Sequence, residues 1–87
     1  MEENKLSFES KKIMTMGTVK EMTGLSERQI RYYEEKKLVF PERSSSGTRK
    51  YSLSDIKLLI NIAEQIRKGI HTDMIRDQIH GENLSIT

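Results

Sequence analysis

Thr23-Gly24-Leu25-Ser26 constrains this chain more than any other four residues, because it both ends one helix and starts another. Before it, Met16, Val19 and Met22 recur at i, i+3 and i+6, roughly one face of an α-helix, and Thr15 is placed to cap that helix. Gly24 suits the position just past a helix end, where a positive φ is wanted. Leu25 can plug the turn. Ser26, with Gln29 three residues on, forms the serine-x-x-glutamine capping box that opens a second helix. Two helices joined by a glycine-containing turn of about three residues make a helix-turn-helix unit.

The second helix runs to Lys37 and has two unlike faces. Ile30 and Tyr33 point back toward the first helix, while Arg28, Arg31 and Tyr32 point away. A helix turns about 100° per residue, so the adjacent tyrosines divide: Tyr33 goes with Ile30 to the core, and Tyr32, four residues after Arg28, faces outward toward a phosphate. Guanidinium forks match guanine edges or phosphates, and a phenol can hydrogen-bond a phosphate, so this face suits DNA. Thr18 and Ser26, near helix N-termini, can offer hydroxyls or backbone amides to phosphates.

Leu38-Val39-Phe40 reads as a short strand, with Pro41 forcing Phe40 to an extended conformation. Ser44-Ser45-Ser46-Gly47-Thr48 is a turn by composition, and Arg49-Lys50-Tyr51 is the return strand. The result is a hairpin behind the helix-turn-helix, a wing, whose Arg49, Lys50 and Tyr51 are further candidates for DNA contact. Arg43 sits at its base, with Glu42 or Glu35 as alternative partners. Ser52, with Asp55 at the third helical position, caps a third helix. Its apolar positions are Ile56, Leu59, Ile60, Ala63 and Ile66, and Gly69 ends it. Thr72 caps a fourth helix carrying Met74, Ile75 and Ile79, which His80-Gly81 closes. The expected organisation is an N-terminal arm over 1–14, a winged domain over 15–80 and a polar tail over 81–87. The fold class is mainly α: a winged helix-turn-helix with a small β-hairpin wing and two further helices.

Charge placement agrees with this reading. The net charge of the chain is +2, but the segment from Glu27 to Tyr51 alone is +3, so the positive charge gathers around the second helix and the wing. The absence of cysteine excludes disulfides and thiolate metal sites. No stretch approaches the ~18 apolar residues of a membrane span, and no apolar export segment is readable, so a cytoplasmic, nucleoid-associated protein is expected. His71 and His80 have no matching carboxylate cluster, so no metal is expected and no cofactor is implied. Glu34 and Glu35 are adjacent and lie on different sides of their helix, no nucleophile stands beside a base, and an enzyme is not indicated.

The run Gln29-Ile30-Arg31-Tyr32-Tyr33-Glu34-Glu35, followed by Leu38, Pro41, Arg43, Gly47, Arg49, Tyr51-Ser52 and Asp55, resembles the DNA-binding domain of MerR-type transcriptional regulators over about Met16 to Ile79. Within that family the chain is most similar to the TnrA/GlnR nitrogen regulators, nearer the TnrA branch. Thr23-Gly24-Leu25-Ser26, Arg28 and Arg43-Ser44-Ser45 with Gly47-Thr48-Arg49-Lys50 carry this closer likeness. The resemblance implies a homodimer on a palindromic operator in double-stranded DNA, and repression and activation of nitrogen-assimilation genes. It also implies an N-terminal segment used in dimerisation, which points to Leu6, Phe8, Ile13 and Met14, apolar residues outside the domain pattern. Glutamine synthetase is the further partner it suggests, engaged in that subfamily through a basic C-terminal extension; Gly81-Glu82-Asn83-Leu84 departs from that extension. Nothing here matches the long coiled-coil helix and effector domain of metal- and drug-sensing members. Two other classes stay open: an excisionase-like architectural DNA-binding adaptor, and a protein-interaction module using the third and fourth helices as a groove.

Overall fold

The structure is a computed structural model that describes residues 8–85, with side chains through residue 79. Its elements in chain order are α1 (Met16–Thr23), α2 (Glu27–Glu35), β1 (Glu42–Arg43), β2 (Arg49–Lys50), α3 (Leu53–Arg67) and α4 (Thr72–Ser85). The first three helix starts obey the caps legible in the sequence. Thr15 Oγ1 accepts from the Thr18 amide at 3.2 Å. Ser26 and Gln29 close a full capping box at 3.1 and 3.0 Å, as do Ser52 and Asp55 at 3.0 and 2.9 Å. Each box satisfies two amides that the helix itself leaves unpaired.

The helix ends divide by what sits at the left-handed position. Gly24 (φ 76) ends α1, its amide donating to the Lys20 carbonyl at 2.8 Å. After α3, Gly69 (φ 91) donates to Ile66 at 2.9 Å and Ile70 to Gln65 at 3.0 Å, the two bonds of a Schellman motif. The same pair of bonds ends α2: Lys37 to Glu34 and Leu38 to Tyr33, both 3.0 Å. There the left-handed residue is Lys37 (φ 62), a conformation its Cβ resists. The bend is worth that strain because it swings Leu38 and Val39 into the core, where they are 1% and 0% exposed.

This turn explains one departure from expectation. Leu38-Val39-Phe40 is not a strand. The Leu38 amide closes the Schellman turn, the Phe40 carbonyl accepts from Lys12, and Phe40 is exposed; the pairing begins at Glu42, in antiparallel register Glu42↔Lys50 and Arg43↔Arg49. The wing turn is held by Ser44 to Thr48 and Gly47 to Ser44 backbone bonds, both 2.8 Å, with Gly47 at φ 87. Tyr51 leaves β2 to pair with Met14 instead, through Met14 amide to Tyr51 carbonyl at 2.7 Å and the reverse at 2.8 Å. Residues before α1 thus form a third, one-residue strand beside the wing. Lys12 adds a second tie, its Nζ donating to Asp55 Oδ2 at 2.7 Å and to the Phe40 carbonyl at 2.8 Å.

The core comprises Val19, Ile30, Tyr33, Leu38, Val39, Tyr51, Ile56, Leu59, Ile62 and Ile75, with Met14, Met16, Leu25 and Ile66 among the side chains packed on it. Three apolar residues expected inside are outside: Met22, Ile60 and Met74 are each about half exposed or more. Ile60 and Met74 lie about 100° around their helices from the buried Leu59 and Ile75, and Met22 about 60° from Val19; α3 buries Ile62 rather than Ile60. The last helix begins differently as well. His71, not Thr72, caps α4: its Nδ1 accepts from the Asp73 amide at 3.2 Å, while Thr72 is the first helical residue and is buried. The helix also continues through Gly81 to Ser85 rather than ending at His80-Gly81. An interior glycine costs about 1 kcal/mol relative to alanine but stops a helix only when it turns left-handed.

Tyr51 is fully buried, and its hydroxyl has no hydrogen-bond partner among the described residues. Burial pushes its phenol above the ordinary value of 10.0, and the nearby Glu34 carboxylate adds to the effect; burial does the same to Tyr33. A raised folded-state value means the neutral phenol stabilises the fold below about pH 10, and that stability is lost as pH rises through the folded-state value. Tyr51→Phe removes an unsatisfied polar atom, so it should raise stability by about 1 kcal/mol and move alkaline unfolding to higher pH, read by urea midpoint and by pH titration of the far-UV signal. Lys37→Gly should relieve the left-handed strain and stabilise by up to ~1 kcal/mol; a lower urea midpoint would show that the lysine side chain does more than tolerate the turn.

Candidate nucleic-acid interface

Arg28, Arg31 and Tyr32 lie on the exposed side of α2, and Ile30 and Tyr33 on its buried side, as the two-faced pattern requires. Arg28 makes no ion pair or hydrogen bond among the described residues. Its guanidinium is a free fork at the helix surface, beside a hollow that it lines with Arg31 and Tyr32. Arg31 is half exposed and paired with Glu27 at 2.8 Å, one turn back along the helix. Tyr32 is 43% exposed, meets Tyr33 edge-on at 5.8 Å between centroids, and carries the Lys36 ammonium 5.7 Å from its ring centre. Those contacts restrain the ring and leave the phenol oxygen at the surface.

Thr18 and Ser26 flank this face. Thr18 and Thr15 share a hydroxyl–hydroxyl bond of 3.2 Å, and the two line a shallow hollow with Gly24 and Leu25. The Ser26 oxygen accepts within its capping box, which leaves its O–H as the group it can offer. α1 therefore contributes its N-terminal end to the same surface as α2, with the turn between them.

The wing closes the other side. A cleft of about 230 Å³ runs between α2 and the wing tip, bounded by Glu27 and Arg31 on the helix and Gly47, Thr48 and Arg49 on the wing. Arg49 is not a free surface arginine. Its Nε donates to Glu34 Oε1 at 2.7 Å, with the two side chains 21% and 26% exposed. That hydrogen bond to Glu34 holds the guanidinium charge even more firmly than usual. The terminal nitrogens remain for a second acceptor. Arg43 pairs with neither Glu42 nor Glu35; its Nη1 reaches back over the turn to the Gly47 carbonyl at 3.4 Å. Lys50 is half buried opposite Glu42.

Tyr51 leaves the set of candidate DNA contacts. It is enclosed by the core, and its part in the site is to root β2 against Met14. Alternation along the wing strand sends Tyr51 to the face opposite its half-buried neighbour Lys50, and that face is the core. Among the residues expected in dimerisation, Phe8 and Ile13 are 56% and 54% exposed, while Met14 packs against the core of its own chain; Leu6 lies outside the described residues. Reasoning from sequence missed Glu27 and Glu34. The Glu27–Arg31 spacing of i, i+4 was readable; the Glu34–Arg49 pair joins residues from two elements and has no local signal.

The sequence that builds this face is similar to those of known regulatory proteins. The family described as MerR HTH family regulatory protein matches residues 14–82. The HTH-type transcriptional regulator TnrA of Bacillus subtilis (strain 168) is 48% identical over 79 residues, covering 90% of this chain and 72% of that protein. The HTH-type transcriptional regulator GlnR of Bacillus anthracis is 39% identical over 59 residues, 68% of this chain and 46% of that one. The HTH-type transcriptional regulator CueR of Yersinia pestis is 37% identical over 65 residues, 74% of this chain and 47% of that one. The chain thus spans most of one relative and about half of the others. It belongs to the MerR family of helix-turn-helix regulatory proteins.

Proposed function

We propose that the chain is the DNA-reading domain of a transcriptional regulator of nitrogen-assimilation genes, acting as a homodimer on a two-fold operator. The observation that carries the DNA reading is α2: capped at both ends, it presents Arg28, unpaired among the described residues, beside Arg31 and Tyr32, with the wing's Arg49 held next to it. The likeness to TnrA and GlnR supports regulation of nitrogen metabolism over the adaptor and interaction-module readings. α2 enters the major groove, Arg28 reads a base edge, and Tyr32, Thr18 and Ser26 engage phosphates around it. Arg43, Arg49 and Lys50 bring the wing to the flanking backbone. On this reading the protein is cytoplasmic and associated with the nucleoid. Glutamine synthetase remains the candidate partner that the TnrA likeness suggests for the protein as a whole.

One winged helix touches few base pairs, so useful affinity comes from two copies on a symmetric site. Exposed Phe8 and Ile13 supply the apolar surface for that pairing, while Lys12 and Met14 hold the same segment to its own domain. Removing the whole arm would therefore damage the fold, and point changes are the better test. Phe8→Ser with Ile13→Ser should leave the melting temperature nearly unchanged and shift the chain to monomer by analytical ultracentrifugation; an unaltered dimer would refute this use of the arm. Arg28→Ala should weaken binding to a two-fold operator by about 1–3 kcal/mol and flatten discrimination at one base pair in each half-site. If it weakened operator and scrambled duplexes equally, with a shallower salt dependence, Arg28 would be a phosphate ligand instead.

A further inference from the structure

Two carboxylates stand among the basic groups of the interface, where a DNA-binding surface has an electrostatic reason to exclude them. Glu27 and Glu34, with Arg31 between them, follow i, i+4, i+7 spacing along one edge of α2, the edge turned to the wing. Each engages one guanidinium: Glu27 to Arg31 at 2.8 Å, and Glu34 to Arg49 at 2.7 Å. The two pairs differ in exposure. Arg31–Glu27 is about half exposed at both side chains, whereas Arg49–Glu34 is about a quarter exposed. Arg28, on the same helix, has no such partner.

An arginine with a free fork swings to whichever phosphate is nearest, and phosphates are present on every duplex. A carboxylate occupying one edge of the fork removes that freedom and leaves the remaining donors pointing in one direction. On a duplex that places an acceptor there, the pair survives binding. On any other duplex, the arginine must break its pair to reach a phosphate. Resting on the reading of this face as a DNA interface, we infer that Glu27 and Glu34 are specificity-determining residues, which hold Arg31 and Arg49 in place and thereby weaken binding to non-cognate DNA.

Neutralising any carboxylate near DNA raises affinity through bulk charge, so the informative quantity is the ratio of two affinities. Glu35, exposed on the same helix beside the hollow lined by Arg28 and Tyr32, has no ion pair among the described residues and serves as the charge control. The probe is the two-fold duplex that the wild-type chain enriches from a randomised pool, compared with a scrambled duplex of equal composition across a range of salt. Glu27→Gln and Glu34→Gln should each bind the scrambled duplex about threefold more tightly, with a salt dependence steeper by about one released ion, while on the selected duplex the lost positioning offsets the bulk-charge gain and affinity stays about level. Their selectivity falls about threefold. Glu35→Gln should raise both affinities by one factor and keep the ratio. Glu27 is surface-exposed, so Glu27→Gln folds and carries the test even if Glu34→Gln melts early. An unchanged or increased ratio in Glu27→Gln would overturn the inference. Failure of the wild-type chain to enrich any duplex would refute the DNA reading itself, before a variant is made.

Discussion

A wing built from two strands of two residues cannot hold its own position, because so short a hairpin is marginal in water. Everything the wing contributes depends on the bridge between Tyr51 and Met14. That pair of backbone bonds joins the return strand to the segment before α1, and the Tyr51 ring is sunk into the core that α1, α2 and α3 share. The wing root is therefore continuous with the helix-turn-helix. Lys12 strengthens the same junction by bonding both the Phe40 carbonyl and the carboxylate that caps α3. The burial of Tyr51 leaves its hydroxyl unpaired, which identifies packing as the function of that ring.

From this root, the wing tip is set against α2 by electrostatics. Arg49 and Glu34 meet across 15 positions of sequence, in a partly shielded setting where an ion pair is stronger than at the open surface. α2 itself is unusually well fixed for nine residues. A capping box closes its start and a Schellman turn its end, even though the latter requires a lysine in a left-handed conformation. A reading helix benefits from that rigidity, since side chains that contact base edges must arrive at defined positions.

Most of the architecture was legible because the signals are local. The capping boxes at Ser26 and Ser52, the glycines at 24 and 69, and the separation of Tyr32 from Tyr33 all depend on residues within one helical turn of each other. Where the reading failed, the deciding neighbour was distant. Leu38-Val39-Phe40 has strand composition, but the Leu38 amide is taken by the end of α2 and Leu38 and Val39 turn into the core. Tyr51 has the same polar tip as Tyr32, and its fate was decided by core space. Met22, Ile60 and Met74 are apolar and close to the buried face of their helices, yet no element among the described residues covers them. His71 took the capping position expected of Thr72 because its ring nitrogen reaches the Asp73 amide while Thr72 turns inward.

The sequence by itself determined that this chain makes a helix-turn-helix with a wing, since caps, turns and helical periodicity act over a few residues and need no partner. It also determined which face of α2 carries Arg28, Arg31 and Tyr32, because helical geometry alone divides that face from Ile30 and Tyr33. Only the tertiary structure decided which basic groups are free and which are held. Among the described residues Arg28 is unpaired, while Arg49 is bound to Glu34 and Tyr51 is withdrawn into the core. The reason is physical: an ion pair between elements and the burial of a ring depend on how those elements meet in space, and chain spacing does not encode that distance.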